Sequence, residues 1–330
     1  MKRFMVLGSN SFSGSHFCKH LIEKGCKVLA TSRSLEPADV FLPYKWAGIA
    51  NNEFSFVQLD LNKDENTFSH LLSSFRPEYI VNFAAQSMVA QSWDYPSDWV
   101  DTNVGALTRV IESLKTYCGL EKFVHVTTPE VYGSTADLIA ENHPFNPSTP
   151  YAVTRAAGDM MLKAFHEKHG LPVIFTRAAN VFGPGQQLYR IIPRVIMACM
   201  TGNRVTLDGG GVSTRSFIHI QDVCNATFEL AISAKPGETF HISSDDFITI
   251  RELVEKIIKR AGKDFNDIAC LGPERQGKDE AYLLSSEKLK SEFNWQPQIS
   301  LDEGIDQVFS WVGANIKSLE KLEIGYAHKK

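Results

Sequence analysis

The chain lacks most of what several function classes require. Its 330 residues carry 34 Lys and Arg against 38 Asp and Glu, a net charge of −4, so the basic excess that nucleic-acid partners demand is missing. No apolar run reaches the roughly 18 residues of a membrane span. The opening MKRFMVLGS has two basic residues and a short apolar run, but Gly8 interrupts it too early for the core of a leader. The six cysteines (18, 26, 118, 199, 224 and 270) form no C-x-x-C pair. Several sit in apolar runs, the setting of reduced core thiols, which points to the cytoplasm. There is no G-x-S-x-G nucleophile elbow, no internal repeat and no low-complexity tract. The glycine run DGGGVSTRS at 208–216 lacks the strand and helix setting of a phosphate loop and reads as a loop on the substrate side. His125, His219 and His241 fall in strand patterns at no metal-ligand spacing, so they read as structural and no metal is expected.

What is present alternates. With 43% apolar and 22% charged residues the chain can bury a sizeable core in one large domain or two. Short β-rich runs at 3–7, 27–31, 54–59, 79–84, 122–127 and 172–177 are separated by helical spacing, clearest at 14–24, 97–117 and 151–168. That rhythm predicts βαβ units and an α/β fold with a Rossmann-type, doubly wound parallel sheet. Beyond 176 the rhythm loosens. Pro and Gly cluster at 183–185 and 209–211, strands follow at 216–220 and 239–243, and helices at 249–261 and 302–314. The expected division is a dinucleotide-binding domain over 1–175, to which 216–243 returns, and a smaller, discontinuous α/β lobe over 176–330 that takes the substrate.

The first chemical signal is VLGSNSFSGSHF at 6–17, an apolar strand running through a glycine turn into a helix. Such a junction sets backbone N–H groups and a helix N-terminus against a diphosphate, which makes Gly8, Asn10, Ser11, Phe12 and Gly14 candidates for cofactor binding. An acidic residue at the end of the second strand would hold the ribose 2′-OH of NAD. Here Ser32 and Arg33 stand there, so NADP is expected, with NAD the alternative and a merely solvated Arg33 the plain reading. Asp60 and Leu61 would lie beside the adenine. In NFAAQS at 82–87, Ala84 and Ala85 are small enough for the backbone to approach the cofactor. Tyr151 and Arg155, four apart on a helix, share a face, where a fixed cation favours the phenolate and makes Tyr151 a candidate base.

These motifs, with TTPEVYG, RAANVFGPGQ, RSFIHIQDV and FNWQP, occur in the order of the extended short-chain dehydrogenase/reductases. Over roughly residues 3–312 the chain most resembles the nucleotide-sugar 4,6-dehydratases that act on dTDP-glucose or GDP-mannose. The resemblance implies that Tyr151 takes the proton of the sugar 4-OH while hydride leaves C4, that Thr128 hydrogen-bonds near that hydroxyl, and that Glu130 removes the C5 proton. Loss of water from C6 follows and the hydride returns there. It also implies that Ser87, Asn180, Arg215 and Arg275 meet the nucleotide sugar, the arginines on its diphosphate, and that Arg155 serves both the tyrosine and the cofactor ribose.

Three positions depart from the family pattern. Ser11 stands for a glycine; it is small, and its hydroxyl can donate to phosphate. Arg155 stands for a lysine, which implies altered ribose contacts and slower hydride transfer. Pro129 stands where the dTDP-glucose enzymes have the aspartic acid that protonates the departing 6-OH. Either the proline stiffens the turn that aims Glu130, or elimination is impaired. The alternatives are therefore an epimerase, 4-dehydrogenase or decarboxylase on the same scaffold, or a catalytically weak nucleotide-binding protein. A homodimer is expected through 97–117 and 151–168. Family habit and the apolar residues Trp99, Val100, Leu107, Val110, Met160, Met161 and Phe165 point there.

Overall fold

Seven strands, all parallel, set the architecture: β1 (Arg3–Leu7), β2 (Lys27–Ser32), β3 (Phe54–Gln58), β4 (Tyr79–Asn82), β5 (Lys122–Thr127), β6 (Val173–Ala178) and β7 (Thr239–Ile242). Their order across the sheet is β7-β6-β5-β4-β1-β2-β3, a Rossmann-type doubly wound arrangement. The order reverses between β1 and β4, and in such sheets the ligand crevice opens outside the carboxyl ends at that reversal. The computed structural model describes residues 1–46, 53–135, 137–273 and 281–328.

The strands read as apolar runs because both faces are covered. Along β1, Phe4 and Val6 join a layer with Val28, Val81 and Val124 under the helices Phe12–Glu23 and Ile220–Ser233. Met5 and Leu7 point the other way, with Leu29, Ile80 and Phe123, under Leu107–Lys115 and Pro150–His169. The period-two alternation of the strands thus sorts one sequence into two cores.

The smaller lobe has its own core. Phe182, Val195, Ile196, Leu253, Ile257, Ile305 and Val308 gather the helices Ile191–Thr201, Ile250–Arg260 and Leu301–Leu319. Its three-stranded sheet pairs Thr214–His219 with Asn180–Phe182 in parallel and with Phe247–Thr249 antiparallel. Along the returning segment Phe217 packs into the lobe core while Ile218 and Ile220 join the core of the large sheet, which the chain pairs with again at β7. Residue 175 lies inside β6. Among the described residues no helix is long and apolar enough to cross a membrane.

Two helices position the site. Pro150–His169 starts on Thr149, whose side chain accepts from the Ala152 N–H, carries Pro150 in its first turn, and stops at Gly170 in the left-handed region (φ 70°). The segment expected as one helix over 97–117 runs as Pro96–Val100, a π-turn over Asp101–Ala106, and Leu107–Lys115. Asp101, Thr102, Asn103 and Gly105 are poor helix formers, which is the local reason the ladder loosens there.

That packing corrects the outward apolar set. Trp99, Leu107 and Val110 are buried, and Met161 and Phe165 lie against the sheet-side core. Val100 and Met160 are exposed, and Trp93, Tyr95 and Val153 join them on the surface.

Candidate active site

The turn after β1 is held from below. The Gly8 and Ser9 N–H groups both donate to the Thr31 carbonyl of β2 (2.8 and 2.9 Å). Gly8 has φ +80°, and a Cβ there would stand 2.6 Å from the Ala84 nitrogen, so only glycine lets the β1 and β4 turns meet. A Cβ on Gly14 would fall 2.4 Å from the Gly8 carbonyl oxygen, so the helix starts close against the turn. Ser11 is the N-cap of that helix, with ordinary backbone (φ −71°), so losing the glycine costs no strain. Its hydroxyl donates to the Gly8 carbonyl (2.7 Å) and accepts from Gly14 N–H (3.1 Å). The one proton that could have gone to phosphate is spent inside the turn. Asn10 ties the turn to the loop after β2 by donating to the Ser34 and Leu35 carbonyls (2.8 and 3.0 Å). The Phe12 side chain belongs to the core, which leaves only its N–H, in the open first turn of the helix, to meet a ligand.

A cleft of about 130 Å3 opens above this turn. Gly8, Ser11, Ser32, Arg33, Asp60, Leu61, Ala84 and Ala85 line it, with Phe83, Thr102 and Ala106. Sequence-expected positions from four strand ends thus meet in one place. Asp60 is shaped by its own loop, one carboxylate oxygen accepting from the Asn62 N–H (3.0 Å). The loop after β4 is clamped by Asn103 of the π-turn. Its Oδ1 accepts from Gln86 N–H (2.9 Å), and its Nδ2 donates to the Gln86 carbonyl (3.0 Å) and to Thr154 Oγ1 (3.0 Å). Sequence reasoning missed Asn103. Its signal was a polar residue beside Gly105 in a helix otherwise apolar on one face. Ser87, next to the clamped Gln86, is exposed.

The base machinery sits at the end of β5. Thr128 caps a helical turn over Pro129–Tyr132, its hydroxyl accepting from Glu130 N–H (3.3 Å). Pro129 is the first residue of that turn, where a missing N–H costs nothing and the fixed φ suits the geometry. Tyr151 is buried, and burial pushes its phenol up. The Arg155 charge opposes this, Glu130 adds to it, and a hydrogen bond with Thr128 and the Arg190 charge pull down. Thr128, Glu130 and Tyr151 therefore share one site. Arg155 is buried, and its Nη2 donates to the Val126 carbonyl of β5. Its Nε is buried with no partner among the described residues, beside a small cavity lined by Leu61, Ala84 and Thr102, residues that also line the cleft. The glycine cradle and this unpartnered donor both fit a dinucleotide lying across the cleft.

Behind the tyrosine helix runs a buried polar chain. Arg177 donates to Asp159 Oδ2 (2.7 Å) and to the Tyr132 hydroxyl (2.8 Å), and Tyr132 meets His241 Nε2 (2.8 Å). His125 reaches Asn82 through Nδ1 (3.2 Å) and lies 3.5 Å from Asp159. The His219 side chain caps the helix Ile220–Ser233 by accepting from Gln221 N–H.

On the lobe side, Tyr282 donates to Asn180 Oδ1 (2.9 Å), and the Arg215 guanidinium lies over its ring, 4.6 Å from the centroid. Asn180 and Arg215 are brought together by a residue the sequence did not single out. Arg190 was also missed; its charge reaches both Tyr151 and Tyr282. Arg275 lies outside the described residues.

A seven-stranded parallel sheet, a glycine turn at β1, and a tyrosine with a cation one helical turn on define an extended short-chain dehydrogenase/reductase. Within that class, the model of the GDP-mannose 4,6 dehydratase family matches residues 5–308, and the chain belongs to that family. It is 31% identical over 325 residues to a dTDP-glucose 4,6-dehydratase of Streptomyces antibioticus, covering 97% of this chain and 95% of that one. A dTDP-glucose 4,6-dehydratase of Xanthomonas campestris pv. campestris is 27% identical, covering 96% and 94%. Among solved structures, the dTDP-glucose 4,6-dehydratase of Streptomyces venezuelae with NAD bound superposes with a TM-score of 0.90 at 28% identity, covering 97% of this chain and 100% of that one. The UDP-glucose 4-epimerase of Thermotoga maritima gives 0.86 at 26%, covering 95% and 99%.

Proposed function

We propose that the chain is a nucleotide-sugar 4,6-dehydratase using a nicotinamide dinucleotide. The observation that carries the reading is Glu130 in the same site as Tyr151 and Thr128, presented by a helical turn that Thr128 caps and that the buried Val131 and Tyr132 anchor. A C4 oxidation needs only Tyr151. A carboxylate beside it gives a base for a C5 proton that a 4-keto group acidifies. The cofactor, held by Gly8, Ala84, Ala85 and Arg155 in a cradle that Ser11 shapes, supplies a hydride acceptor that is regenerated. Tyr151 receives the proton of the 4-OH, Thr128 orients that hydroxyl, and Glu130 takes the C5 proton. Asn180 and Arg215 hold the nucleotide sugar in the lobe formed by the later part of the chain, and Arg33 favours NADP over NAD. Pro129 favours one second reading, an epimerase that never expels the 6-OH.

The exposed Trp93, Val100, Val153 and Met160 lie on the adjoining helices Val89–Asp94, Pro96–Val100 and Pro150–His169, and the exposed Tyr95 joins the first two. We read that face as the contact of a cytoplasmic homodimer. The activity test is incubation with dTDP-glucose, UDP-glucose and GDP-mannose, followed by mass and product analysis in deuterated water. Loss of one water with deuterium at C5 supports the dehydratase, and Glu130→Gln should abolish both. Isomerisation without loss of mass would establish the epimerase instead.

A further inference from the structure

The aspartic acid that the resemblance to the dTDP-glucose enzymes implies at position 129 is absent here, and Pro129 has no proton to give. We propose that Tyr282 supplies that proton. This inference rests on the dehydratase reading above.

Three observations carry it. First, the phenol lies between the two residues read above as holding the nucleotide sugar: its hydroxyl donates to Asn180 Oδ1 at 2.9 Å, and its ring lies under Arg215 at 4.6 Å. Second, it holds its proton. Burial above all, then the Glu130 charge, pushes the phenol up, so it stays neutral at every working pH. A neutral O–H in a site that already holds a carboxylate is an acid, whereas a second carboxylate there would have to be kept protonated. Third, the work is divided. The Glu130 charge acts on Tyr151 and on Tyr282, so the carboxylate and the two phenols belong to one electrostatic neighbourhood. Thr128 is already engaged with the Glu130 N–H and with Tyr151.

The protons balance. Glu130 takes the C5 proton, the C6–O bond breaks, and the Tyr282 O–H turns from Asn180 Oδ1 to the leaving oxygen and delivers its proton there, giving water, a C5–C6 double bond and a phenolate under the Arg215 cation. Glu130 later returns its proton to C5 as hydride reaches C6. Tyr151 retains the 4-OH proton, which passes through solvent to Tyr282 on product release. The net change is the loss of one water.

The test compares wild type, Tyr282→Phe, Pro129→Asp and the double variant on dTDP-glucose in deuterated water. Tyr282→Phe keeps the ring under Arg215 but has no proton. It should still exchange the C5 hydrogen of recovered sugar at a near wild-type rate while water loss falls by roughly 10²–10⁴-fold, the usual worth of a positioned acid. Adding Pro129→Asp should restore at least about tenfold of that loss. Three results would overturn the assignment: water loss in Tyr282→Phe within a few-fold of wild type, loss of C5 exchange together with elimination, or no rescue by the aspartate. A wild type that exchanges no C5 hydrogen and loses no water on any sugar tried would defeat the dehydratase reading itself, and the role of Tyr282 with it.

Discussion

Removing Asp159 should unfold the site from behind. This carboxylate accepts from Arg177 Nη2 at 2.7 Å and Thr127 Oγ1 at 3.1 Å, and both Asp159 and Arg177 are at most 3% exposed. Asp159→Leu leaves Arg177 buried with the neutral Tyr132 hydroxyl as its remaining close acceptor in this chain of contacts. An uncompensated buried guanidinium costs about 3–5 kcal/mol. At about 2 °C per kcal/mol for a large domain, the melting temperature should fall by about 6–10 °C. Asp159→Asn keeps an accepting oxygen but loses the charge, and should cost about 1.5–3 kcal/mol. The control is Asp159→Leu with Arg177→Met, which removes both charges and should recover most of the loss. Calorimetry of the four proteins decides it. A single variant melting within about 2 °C of wild type, or a double variant no better than the single, would refute the view that Asp159 serves chiefly to neutralise Arg177.

Gly8→Ala sets a methyl 2.6 Å from the Ala84 nitrogen at φ +80°. It should cost about 1–3 kcal/mol in backbone strain alone and lower dinucleotide affinity at least tenfold; unchanged binding by calorimetry would contradict the cradle. Wild type should bind NADP(H) more tightly than NAD(H), by roughly ten- to a hundredfold from a charge-assisted pair of about 1.5–3 kcal/mol at Arg33. Arg33→Ala should close that gap, and equal or tighter wild-type binding of NAD(H) would remove the preference. Burial lowers His219 and His20 to about 4 and His16 and His241 to about 3. Each is neutral in the fold and gains a proton on unfolding below its ordinary value of about 6.5. The stability they allow is therefore complete above that pH and drains as pH falls toward 4, at up to about 1.4 kcal/mol per unit for each. Urea midpoints that do not move between pH 7.5 and 5 would contradict this.

The sheet was legible because parallel strands buried on both faces leave apolar runs, and all seven strands lie where such runs predict them, within about two residues at the ends. The strand expected over 79–84 stops at Asn82, whose side-chain oxygen accepts from Ala84 N–H (3.0 Å) and turns the chain. The cleft residues were legible too, since glycine and alanine at strand ends mark close backbone approach. What stayed hidden depends on pairs distant in sequence. Tyr282 and Asn180 are 102 residues apart, and Tyr132 and His241 are 109 apart. No local pattern announces such partners. For Leu107 and Val110 the outward reading failed because the π-turn over Asp101–Ala106 rotates the helix face, so helical spacing counted through it points to the wrong side.

The three departures from the family pattern share a physical account. Ser11, Pro129 and Arg155 look in sequence like lost chemistry, yet each is fastened to backbone: Ser11 to the Gly8 carbonyl, Pro129 in the first turn of the segment that presents Glu130, Arg155 to the Val126 carbonyl. Each stiffens a turn or strand end that carries a working group. For Arg155 the geometry is also electrostatic. Tied to the strand, its guanidinium cannot move toward the phenol as a flexible ammonium would, yet its charge still opposes the burial that pushes Tyr151 up. The phenol is thus weakly primed, with Arg190 and Thr128 making up part of what a mobile lysine supplies elsewhere. A site that gives up mobile proton carriers at positions 129 and 155 needs them on other elements. The lobe meets that need with Tyr282, a phenol packed between the two residues expected to hold the sugar.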